Sequence, residues 1–270
     1  PEEKEQYEFV FVPALPTDNP YLPQEYYKSL ESLPENQRKA YLEGNWDAFD
    51  EGMDEKGYIR LVSDREMQLS LSNDIEHSGY IIGGIDPAAG GDNSAIVIKS
   101  AHLMEVVFNQ KLQNTMDLVS RIVDINREYK VDMWIVDKTG VGQGVYDRLK
   151  EMDYDIKGVS FGEKSEDDQY GNLKAELHFK LRKWIISGGQ LKRDYGWNEL
   201  EIVKYKNKDG KIVIQPKEDL FRENISSPNV VDAAVLTMDL SDTTIKSNKM
   251  IKYNRGKEFY DQTTKIWRNE

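Results

Sequence analysis

The chain has 270 residues, 39% of them hydrophobic and 10% aromatic, which suffices for a large folded domain with an appendage and is too apolar for a disordered polymer. No apolar run approaches the roughly 18 residues of a membrane span, and the lack of cysteine excludes disulfides and thiolate metal sites. The net charge of −12 is unevenly spread, so local basic patches survive it: residues 1–60 carry 14 acidic and 6 basic side chains, whereas residues 203–217 carry five Lys against one Asp.

The chain opens on PEEKEQYEF, with no Met and no signal pattern, and reads as the start of a piece cut from a longer protein. Residues 1–60 are rich in Pro, Glu and aromatic residues and read as a connector or small subdomain, with short helices expected over 24–32 and 35–43. A different texture begins at Tyr80. YIIGGID has the pattern of a buried strand ending in an acid. SAIVIKSAH and MEVVFNQKL follow across short connections, which suggests an antiparallel meander. Residues 115–129 switch to helical period, with Leu118, Ile122 and Ile125 on one face. DMWIVD is a second apolar strand ending in an acid. After it come the glycine-rich KTGVGQGV, a helix through about residue 152, and a strand at IKGVSF. A helix is expected over 172–187, ending at Gly188-Gly189. Asp209-Gly210 between alternating runs signals a hairpin. VVDAAVLTMDL makes a last apolar helix over 230–240, and 241–270 reads as a basic tail with Lys246, Lys249, Lys252 and Arg255, favouring disorder. The order β-β-β-α-β-α-β-α predicts an α/β fold over 61–240: a three-strand antiparallel meander extended by parallel strands through helical crossovers, with an inserted hairpin.

The acids fall at telling places. Asp86 ends the first strand, Asp137 ends the strand after the first helix, and Asp232 stands in the last helix among Val230, Val231, Ala233 and Ala234. The carboxyl ends of neighbouring parallel strands open onto one crevice, so the three acids are expected to converge. Any one Asp after a strand also serves as a turn residue or cap, and Asn229 as an N-cap explains part of the last motif. Asp232 is the hardest to explain that way, because an unpaired charge among apolar side chains is costly. Clustered carboxylates resist ionising together without a cation. Oxygen ligands without Cys or nearby His favour Mg²⁺ or Mn²⁺, and two such ions about 4 Å apart hydrolyse phosphodiesters.

Taken together, GGIDPAAGGDNSAIVI, MWIVDKTGVGQGVYDRL and ISSPNVVDAAVL resemble the three motifs of the nuclease domain of tailed-phage terminase large subunits. DNPYLPQEYYKSLESLPENQRKAYLEGNWDAF is similar to that family's link between ATPase and nuclease domains, and the resemblance covers roughly residues 10–240. It implies a ribonuclease H-like fold and a metal-dependent endonuclease that cuts concatemeric double-stranded viral DNA in the host cytoplasm. By matching motifs, Asp86, Asp137 and Asp232 become metal ligands. Asp92 becomes an auxiliary carboxylate or, equally, a turn residue. Asn229 departs from the second acid or His often found at its position and offers only a weak carbonyl ligand. Implied partners are an ATPase domain, a small terminase subunit and the portal, with no membrane. The chain has no GxxxxGK[ST] loop, and GVGQG lacks its Lys, so ATP hydrolysis is not expected of it.

The hairpin lysines Lys204, Lys206, Lys208 and Lys211 are the leading candidates for DNA contact, against a merely solvated hairpin. Lys138, beside Asp137, is placed either near the scissile phosphate or on the surface. His77, His102 and His178 show no ligand spacing, and Trp134 and Trp184 fall in apolar runs that suit a core. No base-reading helix is evident, so little sequence specificity is expected. Two rival readings share these residues: a Holliday-junction resolvase or other ribonuclease H-like nuclease, and a non-enzymatic module docking on a capsid portal.

Overall fold

A computed structural model of the chain describes residues 15–44 and 53–240, apart from 32, 34 and 74; the basic tail lies outside the described residues. The chain divides into two compact units, Pro1–Ile59 and Arg60–Glu270. In the first, Pro16–Asp18 forms a 3-10 turn in which Asp18 accepts the Leu15 N–H at 2.8 Å. Helices α1 (Gln24–Glu31) and α2 (Glu35–Glu43) follow it, within a residue of the expected bounds.

The second unit holds the acids. It begins with α3 (Asp64–Ser70), whose capping box is read from Ser63 and Glu66, and with the short strand β1 (Leu71–Ser72). The meander is β2 (Ile82–Asp86), β3 (Asn93–Lys99) and β4 (Leu103–Lys111). Helix α4 (Thr115–Tyr129) is capped by Asn114, whose side chain accepts the Met116 N–H. Next come β5 (Met133–Asp137), α5 (Gly142–Glu151), β6 (Ile156–Val159) and α6 (Leu173–Ile186). Strand β7 (Gln190–Lys192) and a 3-10 helix over Tyr195–Glu201 lead to the hairpin of β8 (Lys204–Lys208) and β9 (Lys211–Ile214). Helices α7 (Lys217–Arg222) and α8 (Asn229–Leu236) close the described chain.

The main sheet has seven strands in the order β1-β7-β4-β3-β2-β5-β6. The β2–β3–β4 ladders are antiparallel, and β5 and β6 add in parallel beyond β2. The meander and its parallel extension are as the sequence pattern predicts. The sheet also continues on the far side of β4, where β7 and then β1 add in parallel. These strands have three and two residues, too short to show an alternation. The hairpin stays outside this sheet and pairs Ile212 with Asn207 and Ile214 with Tyr205.

Two consecutive glycines in β2 set the layers. Successive strand residues face opposite sides of a sheet. On one side, the Trp134 ring fills the space of a Gly83 side chain, 2.2 Å from where a Cβ would stand. That side carries the core of Ile85, Ile96, Ile98, Leu118, Ile122 and Val136 under α4 and α5. Trp134 is buried as expected, with its indole N–H on Asn126 at 3.2 Å. Trp184, also expected in the core, is only partly buried and donates to the Ala101 carbonyl. On the other side, the Ala233 carbonyl oxygen of α8 lies 2.0 Å from the position of a Gly84 Cβ. Only glycine lets α8 lie this close to β2. All eight residues of α8 are buried, which accounts for its uniformly apolar sequence apart from Asn229 and Asp232.

Candidate active site

Strand register brings the first two acids together. Ile85 pairs with Val136 in the parallel β2–β5 ladder, so the next residues, Asp86 and Asp137, stand side by side at the two strand ends. Neighbouring strands lie roughly 4.8 Å apart, and aligned residues share a face. Asp86 is two residues beyond Gly84 and therefore faces α8. Helix α8 contributes Asp232 from its first turn, one residue before the carbonyl that overlies Gly84. Asp86 is buried, and burial pushes its carboxyl well above the ordinary carboxylate range. The charges of Asp232 and Asp137 push the same way, against Lys217 and Lys174.

Asp137 fixes its own turn, one carboxylate oxygen accepting the Thr139 N–H at 2.9 Å. The glycine-rich segment then serves close approach. A Cβ on Gly142 would sit 1.8 Å from the Asp137 carbonyl oxygen, so α5 starts directly on that strand end. Asp92 reaches the site differently. Its Oδ2 accepts from Ser227 Oγ at 3.1 Å, tying the loop after β2 to the approach of α8, and its charge acts on Lys217. Asn229 is buried in the first turn of α8 but caps nothing, because the cap residue is Pro228. Glu199, from the 3-10 helix, takes the expected capping role, accepting from Val230 N–H at 2.7 Å and Val231 N–H at 3.3 Å. Burial raises its carboxyl to about 7 despite those bonds.

Asp232 is fully enclosed, and its two oxygens meet two ammonium groups. Lys174 Nζ of α6 lies 2.9 Å from Oδ1, and Lys217 Nζ at the start of α7 lies 2.8 Å from Oδ2. Burial alone raises the Asp232 carboxyl, but the two lysines overrule it and hold the group ionised, well below the usual range. Lys217 is correspondingly held above the ordinary lysine range by Asp232 and Asp86, against its own desolvation. His178 stands one helical turn after Lys174, with Nε2 3.9 Å from Asp232 Oδ1. Its Nδ1 lies 2.7 Å from the Lys174 carbonyl, which can only accept, so the proton is on Nδ1. Burial lowers this imidazole to about 4, leaving it neutral with an unprotonated Nε2 toward the carboxylate.

Among the described residues, no three His, Cys, Asp or Glu side chains are grouped to hold a metal ion. Asp86 and Asp137 form a pair, and Asp232 is turned into the lysine clasp. Of the basic residues expected to meet DNA, Lys208 and Lys211 are exposed at the hairpin tip, and Lys204 and Lys206 are half-buried at its base. Lys138 lies 3.7 Å from Glu163 in a largely exposed pair, which adds little stability. Lys204 shares a small cleft with Lys174, His178, Gln215 and Lys217, so the hairpin base adjoins the clasp.

Neither any protein-family model nor any curated protein sequence matches the chain. Solved structures do. The nuclease domain of the large terminase subunit gp2 of bacterial virus Sf6 superposes with a TM-score of 0.59 at 16% identity, covering 68% of this chain and 100% of that one. A mutant of that domain with manganese gives 0.58 at 14% identity and the same coverage. The large terminase nuclease from thermophilic phage G20c gives 0.51 at 14% identity, covering 68% and 99%. The fold is that of phage large-terminase nuclease domains. Within this terminase-nuclease fold, sequence reasoning missed Lys174, His178, Lys217 and Glu199. A signal existed for the first two, a Lys and a His spaced i, i+4 on one helix and so sharing one face. Lys217 and Glu199 carry no such mark, since each meets the site from a separate element.

Proposed function

We propose that this chain is the cutting domain of a phage DNA-packaging motor: a divalent-cation-dependent endonuclease that hydrolyses phosphodiester bonds of double-stranded, concatemeric viral DNA in the host cytoplasm. The observation that carries this reading is the side-by-side pair Asp86 and Asp137 at adjacent strand ends, roofed by Asp232, in a terminase-nuclease fold. The donor set suits Mg²⁺ or Mn²⁺: it is all oxygen, and the Asp86 carboxylate is desolvated beside other acids, where a hard cation relieves the repulsion. Asp86 and Asp137 would hold the ion, which would activate water and polarise the phosphoryl oxygen. The protein's own part is orientation. The Thr139 N–H fixes Asp137, strand β2 fixes Asp86, and the enclosed walls of α8 strengthen every charge interaction inside. A second ion requires Asp232 and the auxiliary groups Asp92 and Asn229 as well. Phosphates of the duplex would lie along Lys204, Lys206, Lys208 and Lys211 of the hairpin, with Lys138 on the other rim. The ATPase domain, the small terminase subunit and the portal are the partners this role implies, and no described helix is long and apolar enough to cross a membrane.

The test is cleavage of plasmid and linear duplex with Mg²⁺ or Mn²⁺, alongside four-way junctions and RNA–DNA hybrids. Duplex cutting that EDTA abolishes and Asp137→Ala removes is the expected result. A strong preference for junctions would favour a resolvase instead, and equal activity of Asp137→Ala would end the assignment.

A further inference from the structure

We infer that Gln215 is a direct contact for the DNA strand: its side-chain amide seats the backbone phosphate next to the one being cut. This rests on the nuclease reading and adds to it a substrate-binding residue. Gln215 closes the hairpin, its backbone N–H donating to the Lys204 carbonyl at 2.9 Å, and leads through Pro216 into α7. The residue is only 4% exposed, yet neither Nε2 nor Oε1 of its side chain has a hydrogen-bond partner among the described residues. Buried side-chain amides are paired in the large majority of cases, because an unmet one keeps its full desolvation cost. A glutamine held unpaired at that cost is suited to a ligand arriving from outside.

The surroundings of the amide select the ligand. Two clefts share Gln215, Lys174, Ile214 and Lys217 in their walls. The smaller, about 10 Å³, also touches His178 and Lys204 and has room for about one water. The larger, about 290 Å³, runs between the start of α6 at Asn172 and the junction of β9 with α7. Its volume falls at the lower end of the range for ligand clefts. Lys174 and Lys217 also approach Asp232, at 2.9 and 2.8 Å, so both clefts adjoin the acids. Lys174, Lys204 and Lys217 outnumber the neighbouring acids, Asp232 and the exposed Glu218, which favours an anion. Because both ends of the amide are unpaired, an N–H donor is offered whichever way round the group stands. That donor suits a phosphate oxygen, and the amide carbonyl can accept from an ammonium, which carries three N–H donors. Glutamine contacts of this kind fix the register of a strand without reading its bases.

The experiment compares the intact wild-type chain with Gln215→Met, which keeps length and approximate volume and removes the amide. Melting temperature, duplex binding in EDTA and steady-state cleavage in Mn²⁺ are measured on both. The expected Tm is unchanged or raised, because an unmet buried amide has been removed. Duplex affinity should weaken by about tenfold or more, the loss of a hydrogen bond to a charged group, and KM should rise with it while kcat is affected less. A lowered Tm, or a variant that does not fold, would show the amide paired within the protein and overturns the inference. Equal affinity and KM overturn it too, as does a loss confined to kcat. Inorganic phosphate, added to both proteins during melting, separates a strand contact from a site for a free anion. Stabilisation of wild type alone, with duplex affinity equal in the two proteins, would assign the cleft to the free anion and also overturns the inference. If wild type neither binds nor cuts duplex, the nuclease reading fails and this inference falls with it; equal binding by a wild type that does cut sinks the inference alone.

Discussion

Replacing Gly84 by Ala tests the closeness of β2 and α8, on which the site depends. A Cβ there would lie 2.0 Å from the Ala233 carbonyl oxygen and 2.9 Å from Thr237 Cγ2, whereas real Cβ atoms essentially never come within 3.0 Å of such a neighbour. The obstacle is helix backbone, so α8 has to retreat by about 1 Å, and as a helix buried on every side it has nowhere to go. Overpacking of this kind costs about 1–3 kcal/mol, and a backbone clash belongs at the upper end. For a unit of this size, about 3 kcal/mol lowers Tm by roughly 6–12 °C. The same retreat carries Asp232 away from Asp86, and a misplacement of about 1 Å costs roughly 100-fold in rate. Thermal melting followed by circular dichroism and a duplex-cleavage time course read the two effects. Gly144→Ala is the control, since nothing lies within 4 Å of its Cβ and alanine favours the helix α5. A Gly84→Ala protein that melts with wild type and cuts at the same rate would refute the close-approach argument.

At the other end of the sheet, burial raises the Glu105 carboxyl, but His77, Lys192 and Tyr129 overrule it and bring it down to about 2. A depressed acid stabilises above its unfolded value and loses that contribution as pH falls from about 4.5 toward 2, here at most about 3 kcal/mol. Glu105→Gln should therefore flatten the acid limb of denaturant-measured stability, and an unchanged limb would contradict the pairing. For DNA contact, Lys208→Ala/Lys211→Ala should weaken duplex binding and reduce the slope of log affinity against log salt by about two. A slope equal to wild type would make the hairpin tip merely solvated.

The strand-terminal acids were legible because short continuous apolar runs announce where a buried strand stops, and Asp86 and Asp137 stand at those stops. Helix α4 was legible from its helical period, with Leu118 and Ile122 on one stripe. What surrounds Asp232 was not. Its buried charge among alanines and valines announced a partner, but Lys217 follows Pro216 in a polar stretch and is aimed only by the hairpin and α7 behind it. Lys174 and His178 lay in view as an i, i+4 pair, yet the same helix also carries Glu176, Lys180, Arg182 and Lys183, so nothing in the pattern singles the pair out. The alternative of Asn229 as a cap fails because Glu199, more than 25 residues earlier in the chain, takes the Val230 and Val231 N–H groups, a tertiary contact that no local pattern encodes. Strands β7 and β1 escaped because two or three residues carry no period.

Asp86→Asn removes one negative charge while keeping size and shape, and so tests the carboxylate pair with the least disturbance to folding. The direct measurement is the rate at which wild type and Asp86→Asn linearise supercoiled plasmid in Mn²⁺, with melting curves run in parallel. Loss of at least about 100-fold in rate, with Tm unchanged or raised by relief of the buried charge, is what a cation-holding carboxylate requires. Equal cutting by both proteins would contradict it.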